Sequence, residues 1–174
     1  MSGILLCPEK FKRYFLKSKD VKAILNGLSG SFGAYVGQVV SDKTGAEVVE
    51  ADFGKVLLVD GKPLLFESGK RVFPTLMFET FLVQAARVVV DMGAVAHVCG
   101  GADVMAPGIV RYEGDFVSGD FVVVVDVHHG KPLLLGEALV DSVSARKMAH
   151  GAVVRNVHFV GDKVWNFMRE FSGS

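Results

Sequence analysis

Hydrophobic and polar positions follow two rhythms along the chain. Lys17 to Leu28 carries the helical one: Val21, Ile24, Leu25 and Leu28 fall at i, i+3, i+4 and i+7, with Ser18 placed to cap and Asp20 in the first turn. Glycines at 27, 30 and 33 interrupt it. Strand patterns follow at Ala34–Val40, Glu47–Ala51, Lys55–Val59 and Pro63–Phe66. Asp60-Gly61 between the last two is a two-residue hairpin signal. Beyond the turn at Ser68-Gly69-Lys70, the spacing predicts a second helix from Met77 to about Val88.

From Val89 onward the texture changes to short strands between turn residues. They are predicted at Ala94–Cys99, Ile109–Tyr112, Phe121–Val127, Pro132–Val140 and Val153–Val160. His129-Gly130 turns the chain between two of them. Ser142 or Ser144 caps a short helix through Met148 that ends at Gly151. The expected fold class is α+β, an N-terminal α/β domain over residues 1–89 followed by a β pseudo-barrel over residues 90–170.

Size and composition narrow the class. A chain of 174 residues fits one domain or two small ones and buries a substantial core without disulfides. Cys7 and Cys99 stand alone, with no CxxC spacing, and read as reduced structural thiols. The apolar runs are far shorter than the roughly 18–20 residues of a spanning helix, so a cytoplasmic protein without a membrane association is expected.

Net charge is zero but unevenly spread. Up to Val90 there are 12 Lys and Arg against 9 Asp and Glu; from Asp91 onward there are 7 against 10. Lys10, Lys12, Arg13, Lys17, Lys19 and Lys22 crowd the N-terminal end. Such a cluster is a solvated face or a patch that meets phosphate.

The search for catalytic chemistry fails. A phosphate-binding GxxxxGK[ST] loop needs a glycine where Leu64 stands and a Ser or Thr where Arg71 stands. Gly27, Gly30 and Gly33 are misspaced for a dinucleotide fingerprint and follow a helix rather than a strand. His128-His129 would face opposite sides of a strand, and His97 and His158 sit among apolar strand residues. Asp103, Asp115, Asp120 and Asp126 form no recognisable pair. The expectation is a protein that is not an enzyme and holds no metal or cofactor.

The stretch VCGGADVMAPGIV from Val98 to Val110 asks for another explanation. Two glycines permit positive φ and close backbone approach, and Ala102–Ala106 can form one helical turn offering N–H groups to a phosphate. A tight barrel corner explains the same residues.

This stretch also carries a resemblance. GGADVMAPGIV at 100–110, VSGDFVVVVD at 117–126, LLLGEALV at 133–140 and VRNVHFVGDKVW at 154–165 resemble a PUA domain, a small RNA-binding pseudo-barrel. With DGKPLLF at 60–66, FPTL at 73–76 and VDMGAVAHVCGGADVMAPG at 90–108, residues 1–170 resemble the malignant T-cell-amplified-sequence family and its archaeal relatives, which pair a pre-PUA domain with a PUA domain. The resemblance implies a role in translation without catalysis. Its partners would be structured RNA (ribosomal RNA or tRNA), the small ribosomal subunit and a density-regulated-protein-like factor. It implies an RNA surface at Gly100, Gly101, Ala102, Val104, Met105, Pro107, Gly108 and Arg111, with Arg155, His158 and Lys163 from the closing segment. Lys12, Arg13 and Lys17 are expected to add phosphate contacts. The alternatives are a ribosome-biogenesis or RNA-modification accessory, and a protein–protein adaptor without RNA contact.

Overall fold

The computed structural model describes residues 11–28, 30–41 and 44–172. Cys7 and Lys10, and the side chain of Leu25, fall outside that description. Two antiparallel-rich sheets carry the fold. The first has the order β1-β2-β3-β4-β5, built from β1 (Lys12–Phe15), β2 (Ala46–Ala51), β3 (Gly54–Val59), β4 (Lys62–Ser68) and β5 (Arg71–Pro74). Asp60 (φ 49°) and Gly61 (φ 80°) both adopt left-handed backbone, the conformation of the tight hairpin turn that their dipeptide signals.

The second sheet has six strands in the order β7-β11-β10-β9-β6-β8: β6 (Arg87–Val90), β7 (Val104–Met105), β8 (Ile109–Glu113), β9 (Phe121–Asp126), β10 (Pro132–Ala138) and β11 (Ala152–Phe159). β6 pairs in parallel with β9 and antiparallel with β8. It is buried through Val88, Val89 and Val90, which explains its continuous apolar run. The helix predicted from Met77 to Val88 is therefore shorter. Only α3 (Glu79–Gln84) is helical, and the chain then turns into β6.

Two other expectations change type. Ala34–Val40 lies mostly within a helix, α2 (Gly30–Val39), which follows α1 (Ser18–Gly27). Phe32, Val36 and Val40, four residues apart, are buried, and the rings of Phe32 and Tyr35 meet Phe81 of α3 edge-on at 5.9 and 5.4 Å. Packing against α3 overrides the strand tendency of a valine-rich run. Ala94–Cys99 is likewise α4 (Met92–Val98). Its N-cap is Asp91, whose carboxylate accepts from the Ala94 N–H at 2.8 Å.

Three apolar clusters hold the layers together. One joins α1, α2 and α3 to the first sheet and continues into Val89, Val123, Val125 and Leu135 of the second. Their neighbours Val122, Val124 and Leu134 face the interior of the second sheet with Val104, Val153 and Val154. β9 thus alternates between two cores. The third cluster forms where α6 (Lys163–Ser172) returns to the first sheet, setting Val164, Phe167 and Met168 against Leu58, Phe66 and Phe73. The short helix α5 (Ser142–Ala145) is capped by Asp141, rather than by a serine. Among the described residues no helix is long and apolar enough to cross a membrane.

Candidate RNA interface

The glycine loop is built by the end of α4. Gly101 has φ 96°; its N–H donates to the Val98 carbonyl and the Ala102 N–H to the His97 carbonyl, both at 3.1 Å. This pair of bonds is a Schellman motif with Gly101 in the left-handed position. A Cβ at Gly101 would meet the Phe159 ring at 3.4 Å. The glycine is required by backbone conformation and lies close to β11.

This corrects the expected mode of recognition. Ala102–Ala106 forms no helical turn: Val104–Met105 is β7, and the turn is a 3₁₀ segment at Ala106–Gly108. The N–H groups of Gly100, Gly101 and Ala102 already bond to α4 carbonyls. Asp103 accepts from the Asn156 N–H at 2.8 Å, and the Asn156 amide donates to the carbonyls of Val98 and Ala102 at 2.8 and 2.9 Å. The loop is thereby held to β11 from below.

Its outer side is open. Gly100, Gly101, Ala102, Met105 and Pro107 are exposed, and Gly108 is half-buried with Ala94 against it. The Asp91 N–H bonds to the Gly108 carbonyl, which sets exposed Met92 beside the Pro107–Val110 corner. Arg111 stands exposed on β8, its Nε donating to Glu113 at 2.9 Å.

Two predicted contact residues face inward instead. Val104 is 1% exposed and belongs to the core of the second sheet. His158 is fully buried beside Phe66, and its Nδ1 lies 2.7 Å from the Asp162 carboxylate. Asp162 also accepts from the Phe159 and Trp165 N–H groups. Burial acts to raise the Asp162 carboxyl, but the hydrogen bond and attraction of His158, and those N–H groups, outweigh it and hold the group below the usual carboxylate range. The His158–Asp162 pair therefore joins β11 to the start of α6, and its role is structural.

A model described as PUA domain matches residues 86–160, and one described as Domain of unknown function (DUF1947) matches residues 12–79. An uncharacterized protein of Methanocaldococcus jannaschii is 40% identical over 157 residues, covering 90% of this chain and 96% of that one. Malignant T-cell-amplified sequence 2 of Mus musculus is 26% identical over 160 residues, 87% of this chain and 88% of its own. The chain belongs to the malignant T-cell-amplified-sequence family. Translation machinery-associated protein 20 of Saccharomyces cerevisiae shares 26% identity over 144 residues, 78% of this chain and 79% of its own. The structure of a hypothetical protein from Pyrococcus horikoshii superposes with a TM-score of 0.75 at 35% identity, covering 90% of this chain and 99% of that one.

In this member of the malignant T-cell-amplified-sequence family, the remaining predicted cations do not converge on the loop. Arg155 is exposed on β11 and reaches Glu137 at 3.4 Å; the same carboxylate holds Arg71 of the first sheet through two bonds at 3.0 and 3.1 Å. Lys163 is exposed at the start of α6. Lys12 and Arg13 lie on β1, an edge strand of the first sheet. Lys12 sits 4.0 Å from Glu50, and Arg13 is bonded to Glu47, which raises its already high pKa. Lys17 is exposed just beyond β1. The carboxylates opposite these cations are the signal that a count of basic residues misses.

His128 and His129 lie exposed in the β9–β10 turn, their backbone N–H groups held by Asp126 at 3.0 and 2.6 Å. Burial pushes the Cys99 thiol up, making it a poor nucleophile. Among the described residues no group of three His, Cys, Asp or Glu could hold a metal ion.

Proposed function

We propose that this protein is a non-catalytic RNA-binding component of the translation machinery that contacts ribosomal RNA or tRNA on the small ribosomal subunit during initiation, reinitiation or recycling. The reading rests chiefly on one observation. An exposed rim formed by Gly100, Gly101, Ala102, Met105 and Pro107 adjoins the strand bearing Arg111 in a chain related along most of its length to proteins named translation machinery-associated. Glycine-lined surfaces admit a ribose-phosphate closely, and an exposed arginine adds a forked donor. Because this half is net acidic and Arg111 and Arg155 share their charge with carboxylates, the contact is modest by itself. A density-regulated-protein-like partner would reinforce it through a second attachment.

The test is sedimentation of the purified protein with small ribosomal subunits across a salt series. Co-migration that weakens steeply as salt rises supports phosphate contact. Exposed Met92, Met105 and Val110 around the same rim favour a second reading, an adaptor that binds protein there. Under that reading, subunit binding requires a protein partner, and naked ribosomal RNA is not bound.

A further inference from the structure

The two sheets meet along a seam that the glycine rim does not use. A cavity of about 310 Å³ opens there. That is at the lower end of the roughly 300–1,000 Å³ typical of small-ligand sites, which favour domain interfaces. Its apolar wall comes from both halves of the chain: Ile24, Leu28, Phe32 and Val72 from the first, Phe121 from the second. The rings of Phe32 and Phe121 meet edge-on, with centroids 5.0 Å apart.

The rim carries both signs of charge, with its cations on one side and the Asp120 carboxylate on another. Lys70 and Arg71 form one side of the mouth, at the turn between β4 and β5. Glu137 holds the Arg71 guanidinium through two bonds, and exposed Lys70 adds a further positive charge beside it. Opposite stands the β8–β9 connection, where Asp120 accepts from the Val117 N–H at 3.0 Å. Gly27 and Gly119 also line the cavity, and a Cβ at either would meet nothing within 4 Å.

We infer that this seam cavity is a second RNA seat that takes one unstacked nucleotide of a single strand, its base against the Phe32–Phe121 wall and its phosphate on Lys70 and Arg71. An aromatic wall beside a cationic edge is the chemistry by which single strands are held without sequence reading, because every base has a π face and every nucleotide a phosphate. A duplex, whose bases are stacked and paired, presents its backbone rather than a free base to such a recess. The inference rests on the RNA-binding reading above but uses none of the residues of the glycine rim.

Two measurements test it. Adenosine monophosphate titrated into isotope-labelled protein should shift the amides of Val72, Gly119 and Phe121. A fluorescent single-stranded oligouridylate should bind about fivefold or more weakly to Gly27→Phe, which fills the mouth, and to Lys70→Glu. Both variants should melt like the parent, since Gly27 has open space around it and Lys70 is exposed. Absence of seam shifts, or parental oligouridylate binding by both variants, overturns the seat. If parent binding is salt-dependent and falls on Arg111→Ala while the seam variants bind normally, the seat is wrong and the functional reading survives. If the protein binds no RNA yet the nucleotide still shifts seam amides, the cavity stands as a nucleotide site and the functional reading falls.

Discussion

Replacing Arg111 by Ala and Gly101 by Val separates recognition from folding at the glycine rim. Arg111 is exposed and, among the described residues, pairs with Glu113 two residues along the same strand. An exposed pair of this kind contributes about 0–0.5 kcal/mol, so Arg111→Ala should move the melting temperature of a chain this size by less than about 2 °C. Gly101→Val is different in kind. Gly101 has φ 96°, forbidden ground for a β-branched residue, and its new Cβ would only touch the Phe159 ring, at 3.4 Å. The backbone strain costs about 1–3 kcal/mol, or about 2–12 °C in a chain of this size. Fluorescence anisotropy with ribosomal RNA fragments across a salt series supplies the other axis. If Arg111 meets a phosphate, its loss should flatten the slope of log affinity against log salt by about 0.7–0.9. Normal binding by Arg111→Ala, together with a Gly101→Val loss that merely tracks unfolding, would show that the loop is a barrel corner and no RNA seat.

Three further outcomes follow. Reversing Lys17 alone should reduce the salt slope by about one contact at little cost in stability, whereas reversing Arg13 should also lower the melting temperature, because Glu47 is then left 8% exposed without its partner; thermal scans beside the binding assay distinguish them. Asp162→Ala should cost about 2–4 kcal/mol by chemical denaturation, since it removes the acceptor for the Phe159 and Trp165 N–H groups and the partner of buried His158. The folded Asp162 carboxyl lies below its unfolded value, so its contribution is full above the ordinary carboxylate pKa of about 3.9 and disappears as pH falls through the depressed one; the acid limb of the parent's stability curve should therefore be steeper there than that of Asp162→Asn.

Periodicity and turn chemistry by themselves settled several elements. The stripe from Val21 to Leu28, the Asp60-Gly61 hairpin and the short apolar runs of β9 and β11 are local signals, each carried by residues close enough to determine one another's backbone. The motif at 98–110 was also legible as a place where backbone conformation mattered, since glycine alone adopts φ 96° without strain. Tertiary packing decided the rest. Valine runs at 36–40 and 95–98 have strand-forming composition, yet they are helical or end a helix because burying Val36 against the first core and Val98 in the second sheet's core outweighs propensity. Arg87 and Val88 read as the end of a helix until β8 and β9 supply their hydrogen bonds. Side-chain direction was beyond the sequence altogether. His158 and Val104 resemble surface positions of a family motif but point inward, and the carboxylates that meet Arg111, Arg155, Lys12 and Arg13 include Glu137, Glu50 and Glu47 from other strands. A cation's availability depends on which carboxylate the fold brings within reach, and that is a property of strand register, which no single segment contains.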